Sequence, residues 1–403
     1  ASAANTYAIG SGSGAPGAEG EVETVSGGVT LLSYFQNVEL AQRIGSGATP
    51  GALSVVGDLS PNIMSVVASG AATQVTTTGY TSFEFTGNNY SGVSVSGGLN
   101  TDTLTLLSIG TGQTNPLATT LNGDGGVDTL RVHSTSGNTG VGTLNGGLGS
   151  DSFQLYDSGN TVNNITGPVV VDGTDGNVGG NTDTLTIIDT GDLTADTVFV
   201  NPVNPGVSAD YRVEGITSTA GDDVTFRNVD VLDYTGTQGN DILDARFATT
   251  VPVQDLSTVT LNGWLGADQF LLFTSDQAGG SGPGVTPTGT PSGVAVVNLN
   301  GDAPGNPNLT DGNDVFGETP PGLTGTGSGD VGLAVPDTVR AIRPSVSTGI
   351  NIDGGQPTGP AVPTGDTVGD IVTAFVTLQG LGAKNFLIGN SPDLSLTPAV
   401  RQL

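Results

Sequence analysis

Seven aspartates recur in one setting. The stretch "LNGGLGSDSFQL" (144–155) puts Asp151 at the end of a glycine-rich tract and two residues ahead of Phe153. Asp102 in "SGGLNTDTLTLL" (96–107), Asp128 in "LNGDGGVDTLRV" (121–132) and Asp183 in "VGGNTDTLTI" (178–187) align with it. So do Asp241 in "TGTQGNDILDA" (235–245), Asp268 in "LNGWLGADQFLL" (261–272) and Asp314 in "LTDGNDVFG" (309–317). A carboxylate on a tight glycine turn has two chemical uses. It can accept a hydrogen bond from the turn's own backbone and start a strand, or it can offer hard oxygens to a cation. A net charge of −29, from 38 acidic and 9 basic residues, makes cations the natural partners of the surface.

The residues after each aspartate alternate apolar and polar, which is the period of a half-buried strand. The glycine tract before it suits a turn and not a helix interior. Each unit therefore reads as strand end, turn, strand start. Successive aspartates lie 26, 23, 32, 58, 27 and 46 residues apart, mostly one or two units of 23–30. Periods of that order mean a repeat architecture, and a propeller blade of roughly 40–50 residues is too long for them. The expected fold is all-β: a parallel β-helix or β-solenoid with coils of about 23–30 residues. Four "LNG" triplets would put Asn122, Asn145, Asn262 and Asn300 at equivalent turn positions, where stacked amides can bond from coil to coil.

Composition agrees. The chain of 403 residues has 66 glycines and many Thr, Val, Asn and Asp, which favour sheet and turn over helix. The expected division is an N-terminal arm and capping segment at 1–75, repeats at 76–320 and a C-terminal β region at 321–403. Residues 1–28 are Gly/Ser/Ala-rich and read as an extended arm. "TLLSYFQNVELAQRIG" (30–45) carries two competing periods. One makes a short helix capping the first coil, the other a strand. Residues 279–293 read as a loop, and the apolar stretch 370–389 reads as strands.

Several function classes drop out. No basic patch exists to neutralise nucleic-acid phosphates. No apolar run approaches the roughly 18–20 residues that cross a bilayer. Cysteine is absent, which removes disulfides and thiolate metal sites. Catalysis lacks its usual parts. His133 stands alone, Arg131, Arg212, Arg227 and Arg246 are scattered, and Asp222–Asp223 is an ordinary pair in an acidic chain. No catalytic residue is assigned.

"GGLGSDSFQ" (146–154) matches the nonapeptide G-G-x-G-x-D-x-U-x, with Phe153 as the large apolar residue U. "GDGGVDTLR" (123–131), "GGLNTDTLT" (97–105), "GWLGADQFL" (263–271) and "GTQGNDILD" (236–244) keep most of it. These stretches resemble the RTX-type calcium-binding repeats of secreted bacterial proteins. The resemblance implies Ca²⁺ held by turn carbonyls and aspartate carboxylates, with Asp102, Asp128, Asp151, Asp183, Asp241, Asp268 and Asp314 the candidate ligands. RTX nonapeptides run in tandem, whereas here one match falls in each longer coil. The longer layout, with phrases such as "FRNVDVLDYTGTQGNDILDA" (226–245), resembles the large repetitive surface proteins of planctomycete-type bacteria, which implies a surface location.

The expected function is a non-catalytic, secreted or cell-surface structural protein. It would assemble with copies of itself, head to tail, into a filament, sheath or surface layer, with calcium as candidate stabiliser. The start "ASAANTYAIG" looks like a mature end after a small-residue cleavage site. The alternatives are an adhesin or glycan-binding stalk that contacts cell-surface polysaccharide and, more remotely, a polysaccharide-degrading β-helix enzyme.

Overall fold

A computed structural model describes backbone and side chains for most of residues 52–274, with short gaps, and for 296–301. It also describes the backbone of strands Ala4–Ile9, Gly20–Ser26, Val29–Phe35, Leu40–Arg43, Val315–Phe316, Thr338–Val339 and Gly349–Asp353. Asp314, the loop 279–293 and the stretch 370–389 lie outside the described residues.

Every described element is a strand, and the strands form two mostly parallel sheets of 15 and 12. The chain alternates between them. Tyr90–Leu99, Leu117–Gly125, Thr139–Leu148 and Val169–Thr174 are neighbours in the first sheet. Thr103–Leu106, Thr129–Val132, Ser152–Leu155 and Thr184–Ile188 follow each of them in turn and are neighbours in the second. Each layer thus takes one strand in each sheet.

The register explains the apolar alternation. In the second sheet Met64, Leu104, Leu130, Phe153, Leu185 and Leu232 pair in one column, all with no solvent exposure. Two residues further along the strands, Leu106, Val132, Leu155, Ile187 and Tyr234 make a second column. Inward residues of the first sheet, among them Val95, Leu121, Leu144, Val171 and Phe226, join them in one apolar cluster. Burying one such side chain fully contributes about 1.5–3 kcal/mol.

Antiparallel pairings interrupt the parallel order, one set of them inside the first sheet. Thr197–Pro202, Tyr211–Glu214 and Val224–Arg227 form an antiparallel meander inside the first sheet. Beyond it, Ile242–Phe247 and Gln269–Thr274 continue the first sheet, while Val231–Thr235, Thr258–Trp264 and Val296–Asp302 continue the second.

Two expectations for the N-terminal region change. The segment 30–45 forms strands Val29–Phe35 and Leu40–Arg43, not a capping helix. Its period-2 reading prevails because a neighbouring strand supplies its hydrogen bonds: Val29–Phe35 pairs antiparallel with Gly20–Ser26. Residues 1–28 are not simply an arm, since Ala4–Ile9 pairs parallel with Gly51–Val56 in the first sheet. In the second sheet Ala72–Thr77 and Ser82–Thr86 extend Ile63–Ser69 antiparallel, and Leu40–Arg43 ends the row.

Candidate functional site

The aligned aspartates sit where the chain passes from one sheet to the other, and they are buried. Asp102, Asp128, Asp151, Asp183, Asp241 and Asp268 expose 0–2% of their surface. Each carboxylate accepts the backbone N–H of the equivalent residue one layer earlier. Asp102 N donates to Asp128 Oδ1 (2.7 Å), Asp128 N to Asp151 Oδ1 (2.8 Å) and Asp151 N to Asp183 Oδ1 (2.7 Å). The backbone carbonyls run the opposite way, from the later layer to the earlier: Thr129 N donates to Asp102 O and Ser152 N to Asp128 O. At the corner, where the strand ladder would otherwise break, a side-chain oxygen takes an N–H that a carbonyl takes elsewhere.

Residues missed in the sequence complete this ladder. Asn62 N donates to Asp102 Oδ1 (2.6 Å) at one end, and Asp183 N donates to Asp230 Oδ2 (2.7 Å) at the other. Neither Asn62 nor Asp230 follows a Gly-Gly tract. The signal that could have found them is the offset of two to an inward residue, Met64 or Leu232, the same as from Asp128 to Leu130.

The remaining candidates belong to a second ladder on a different edge. Asp196 N donates to Asp241 Oδ1 (2.8 Å) and Asp241 N to Asp268 Oδ1 (2.7 Å). Here the chain passes from the second sheet to the first, so the motif has moved half a layer across the meander. Asp241 also makes the expected local turn bond, from Thr237 N to its Oδ2 (2.7 Å).

The glycines have a steric reason. A Cβ on Gly97, Gly123, Gly146, Gly236 or Gly263 would collide with Oδ2 of the aspartate five residues later. The first Gly and the Asp of the nonapeptide are thus one packing unit. The second Gly answers to backbone conformation: Gly98 and Gly147 have φ of 104° and 102°.

Burial has an electrostatic consequence. It pushes the carboxyls of Asp102 and Asp241 up from the usual range, and that of Asp128 to about 7, against the lowering effect of the N–H bonds they accept. Oδ2 of Asp102 and of Asp128 is buried with no hydrogen-bond partner. Among the described residues no three His, Cys, Asp or Glu side chains are grouped to hold a metal ion. The turn oxygens are engaged as well, with Gly125 O accepting Asn100 N–H and Leu148 O accepting Gly126 N–H.

A second row lies beside the first ladder. Asn145 Nδ2 donates to Asn122 Oδ1 (2.8 Å), and Asn122 Nδ2 reaches Ser94 Oγ (2.9 Å). On the other side of the meander Asn300 Nδ2 donates to Asn262 Oδ1 (2.5 Å). The LNG triplets are amide ladders, split between the two sheets as the aspartates are split between two edges.

Comparison with known proteins finds no matching family model, curated protein or solved structure. Among the described residues no helix is long and apolar enough to cross a membrane.

Proposed function

We propose that the two sheets are faces of one β-solenoid and that the chain is a non-catalytic, extracellular structural element joining copies of itself end to end. The observation that carries this reading is how the sheets end. Val29–Phe35 and Leu40–Arg43 stand last in their rows at one end, and Thr338–Val339 and Gly349–Asp353 at the other, each with a single strand neighbour among the described residues. A terminal strand offers a row of N–H and C=O groups that another strand can pair. Heterologous contacts of this kind propagate as filaments unless a rotation closes them.

The site chemistry supports a structural role. The aspartates that resemble calcium ligands have carboxylate oxygens bound to neighbouring layers, which favours ladders held by hydrogen bonds over ladders held by Ca²⁺. The negative surface favours a filament that stays dispersed in solution. The chain is read as working at a bacterial cell surface, as a filament, sheath or layer.

The test is sedimentation and electron microscopy of the full chain over a concentration series, with calcium and with chelator. Concentration-dependent polymers of constant width are expected. A monodisperse monomer at high concentration in both conditions overturns the reading.

A further inference from the structure

The outer face of the second sheet carries hydroxyls such as Thr103, Thr129, Ser152, Thr184 and Thr186, and beside them a cluster of a different kind. Arg131 and His133 lie on that face in one layer, and Gln154 and Tyr156 in the next, all half-buried. Arg131 stands directly opposite Gln154. The rings of His133 and Tyr156 stack, with centroids 6.3 Å apart and planes at 24°. Tyr156 Oη donates to Gln154 Oε1 (3.0 Å), and Gln154 Nε2 donates to Ser152 Oγ (3.1 Å), so the amide is held in one orientation with a second N–H left to give.

Arg131 is out of keeping with its chain. Acids outnumber bases by 38 to 9, and Arg227 and Arg212 each pair with a carboxylate, Asp172 and Glu214. Arg131 has no such partner among the described residues, and its Nε is buried with no hydrogen-bond acceptor. The nearest acid along its column is Asp233, three layers away, or about 14 Å at the usual strand spacing. A guanidinium fork with no carboxylate beside it can take one from outside in a strong charge-assisted pair.

We propose that Arg131, His133, Gln154 and Tyr156 form a binding site for an acidic sugar, a pyranose carrying a carboxylate within a polymer. Arg131 takes the carboxylate in a charge-assisted pair. The half-buried His133 and Tyr156 rings give apolar surface against which the C–H face of the sugar packs, and Gln154 Nε2 donates to a hydroxyl. Burial and then the nearby Arg131 lower the imidazole pKa of His133, outweighing the raising effect of Asp157, so it is a neutral ring at physiological pH and adds no second charge. The site lies on a sheet face and not at a sheet end, so it stands whether or not the chain polymerises.

The test is titration calorimetry of the full chain with alginate and polygalacturonate oligosaccharides, against neutral dextran and poly-glutamate. Both uronates are expected to bind, with affinity falling as salt rises, and dextran to give no signal. Arg131→Gln and Tyr156→Ala should each weaken uronate binding about tenfold, the scale of one charge-assisted hydrogen bond. Arg212→Gln should leave it unchanged. Thermal melts establish that each variant is folded, and Tyr156→Gln replaces Tyr156→Ala if the latter is not. Absence of uronate binding, unaltered binding by Arg131→Gln, or poly-glutamate binding as tightly as the uronates overturns the proposal.

Discussion

The backbone N–H of Asp128 lies 2.8 Å from Oδ1 of Asp151, a residue 23 positions later in the chain and one layer away in space. The bond crosses a corner, where a parallel sheet alone would leave that N–H without an acceptor. Repeated from Asn62 to Asp230, it continues the ladder of one sheet around the edge of the body.

Removing one link tests its worth. In Asp128→Ala the N–H of Asp102 loses its acceptor in a buried position, which should cost about 1–3 kcal/mol. Asp128→Asn keeps an oxygen acceptor and cannot ionise. Urea unfolding at pH 8 should therefore place Asp128→Asn above Asp128→Ala in stability. The reverse order would mean that the carboxylate charge, and not the hydrogen bond, is what the corner needs.

The buried carboxyls also set a pH dependence. Asp128 titrates at about 7 and Asp189 at about 8 in the folded chain, both raised chiefly by burial, against about 3.9 in an unfolded chain. Between those values the folded chain holds protons that the unfolded chain has released, so stability falls as pH rises from about 4 to 8. The melting temperature should be higher at pH 5 than at pH 8.5, and the slope should lessen in Asp128→Asn. A chain that is most stable at pH 8.5 would contradict the raised values.

Much of this was legible in the residues. The offset from Asp102, Asp128 and Asp151 to Leu104, Leu130 and Phe153 fixed both the turn and the inward column. Three things were hidden. Asp230 lacks the glycine tract, because a corner without that tight turn still needs its N–H acceptor. The 58 residues from Asp183 to Asp241 conceal the meander, whose strands alternate like any others and carry no mark of direction. The half-layer shift is invisible because the motif specifies a corner without specifying which sheet comes first. Segment 30–45 was ambiguous because seven-residue strands and two-turn helices share apolar spacings.

The glycine five residues before Asp102, Asp128, Asp151, Asp241 and Asp268 predicts a contrast. A Cβ at Gly146 would strike Asp151 Oδ2 and crowd the Phe153 ring, whereas one at Gly70, with φ 63°, meets nothing within 4 Å. Gly70→Ala should cost about 1–2 kcal/mol, the strain of a left-handed alanine. Gly146→Ala should cost roughly 3 kcal/mol or more, because both colliding groups are fixed in the core. Equal losses in denaturant unfolding would show that the close approach of Gly146 and Asp151 can relax.

The column through the second sheet carries the apolar side of the same argument. Phe153 has no exposure and lies between Leu130 and Leu185 in register. Phe153→Ala should cost about 3–5 kcal/mol, while Phe153→Leu, which matches its neighbours in the column, should cost less than half of that. A loss under 1 kcal/mol for the alanine variant, measured by chemical denaturation, would place Phe153 outside the core.

Calcium separates the two uses of the aspartates most directly. If hydrogen bonds hold the ladders, the melting temperature should be the same in millimolar calcium and in chelator, because no ion is bound to the folded state alone. If an ion sits between layers, free calcium at a hundred times its Kd adds about 2.7 kcal/mol per site. Several sites along two ladders would then raise the melting temperature by many degrees. The pH series sharpens the distinction. Protons and calcium compete for the same carboxylates, so a calcium effect would grow from pH 5 to pH 8.5, where Asp128 has ionised. Melts at both pH values, with calcium and with chelator, therefore decide the matter. Coincident curves at each pH support the hydrogen-bonded ladder, and a gap that opens at high pH establishes the metal.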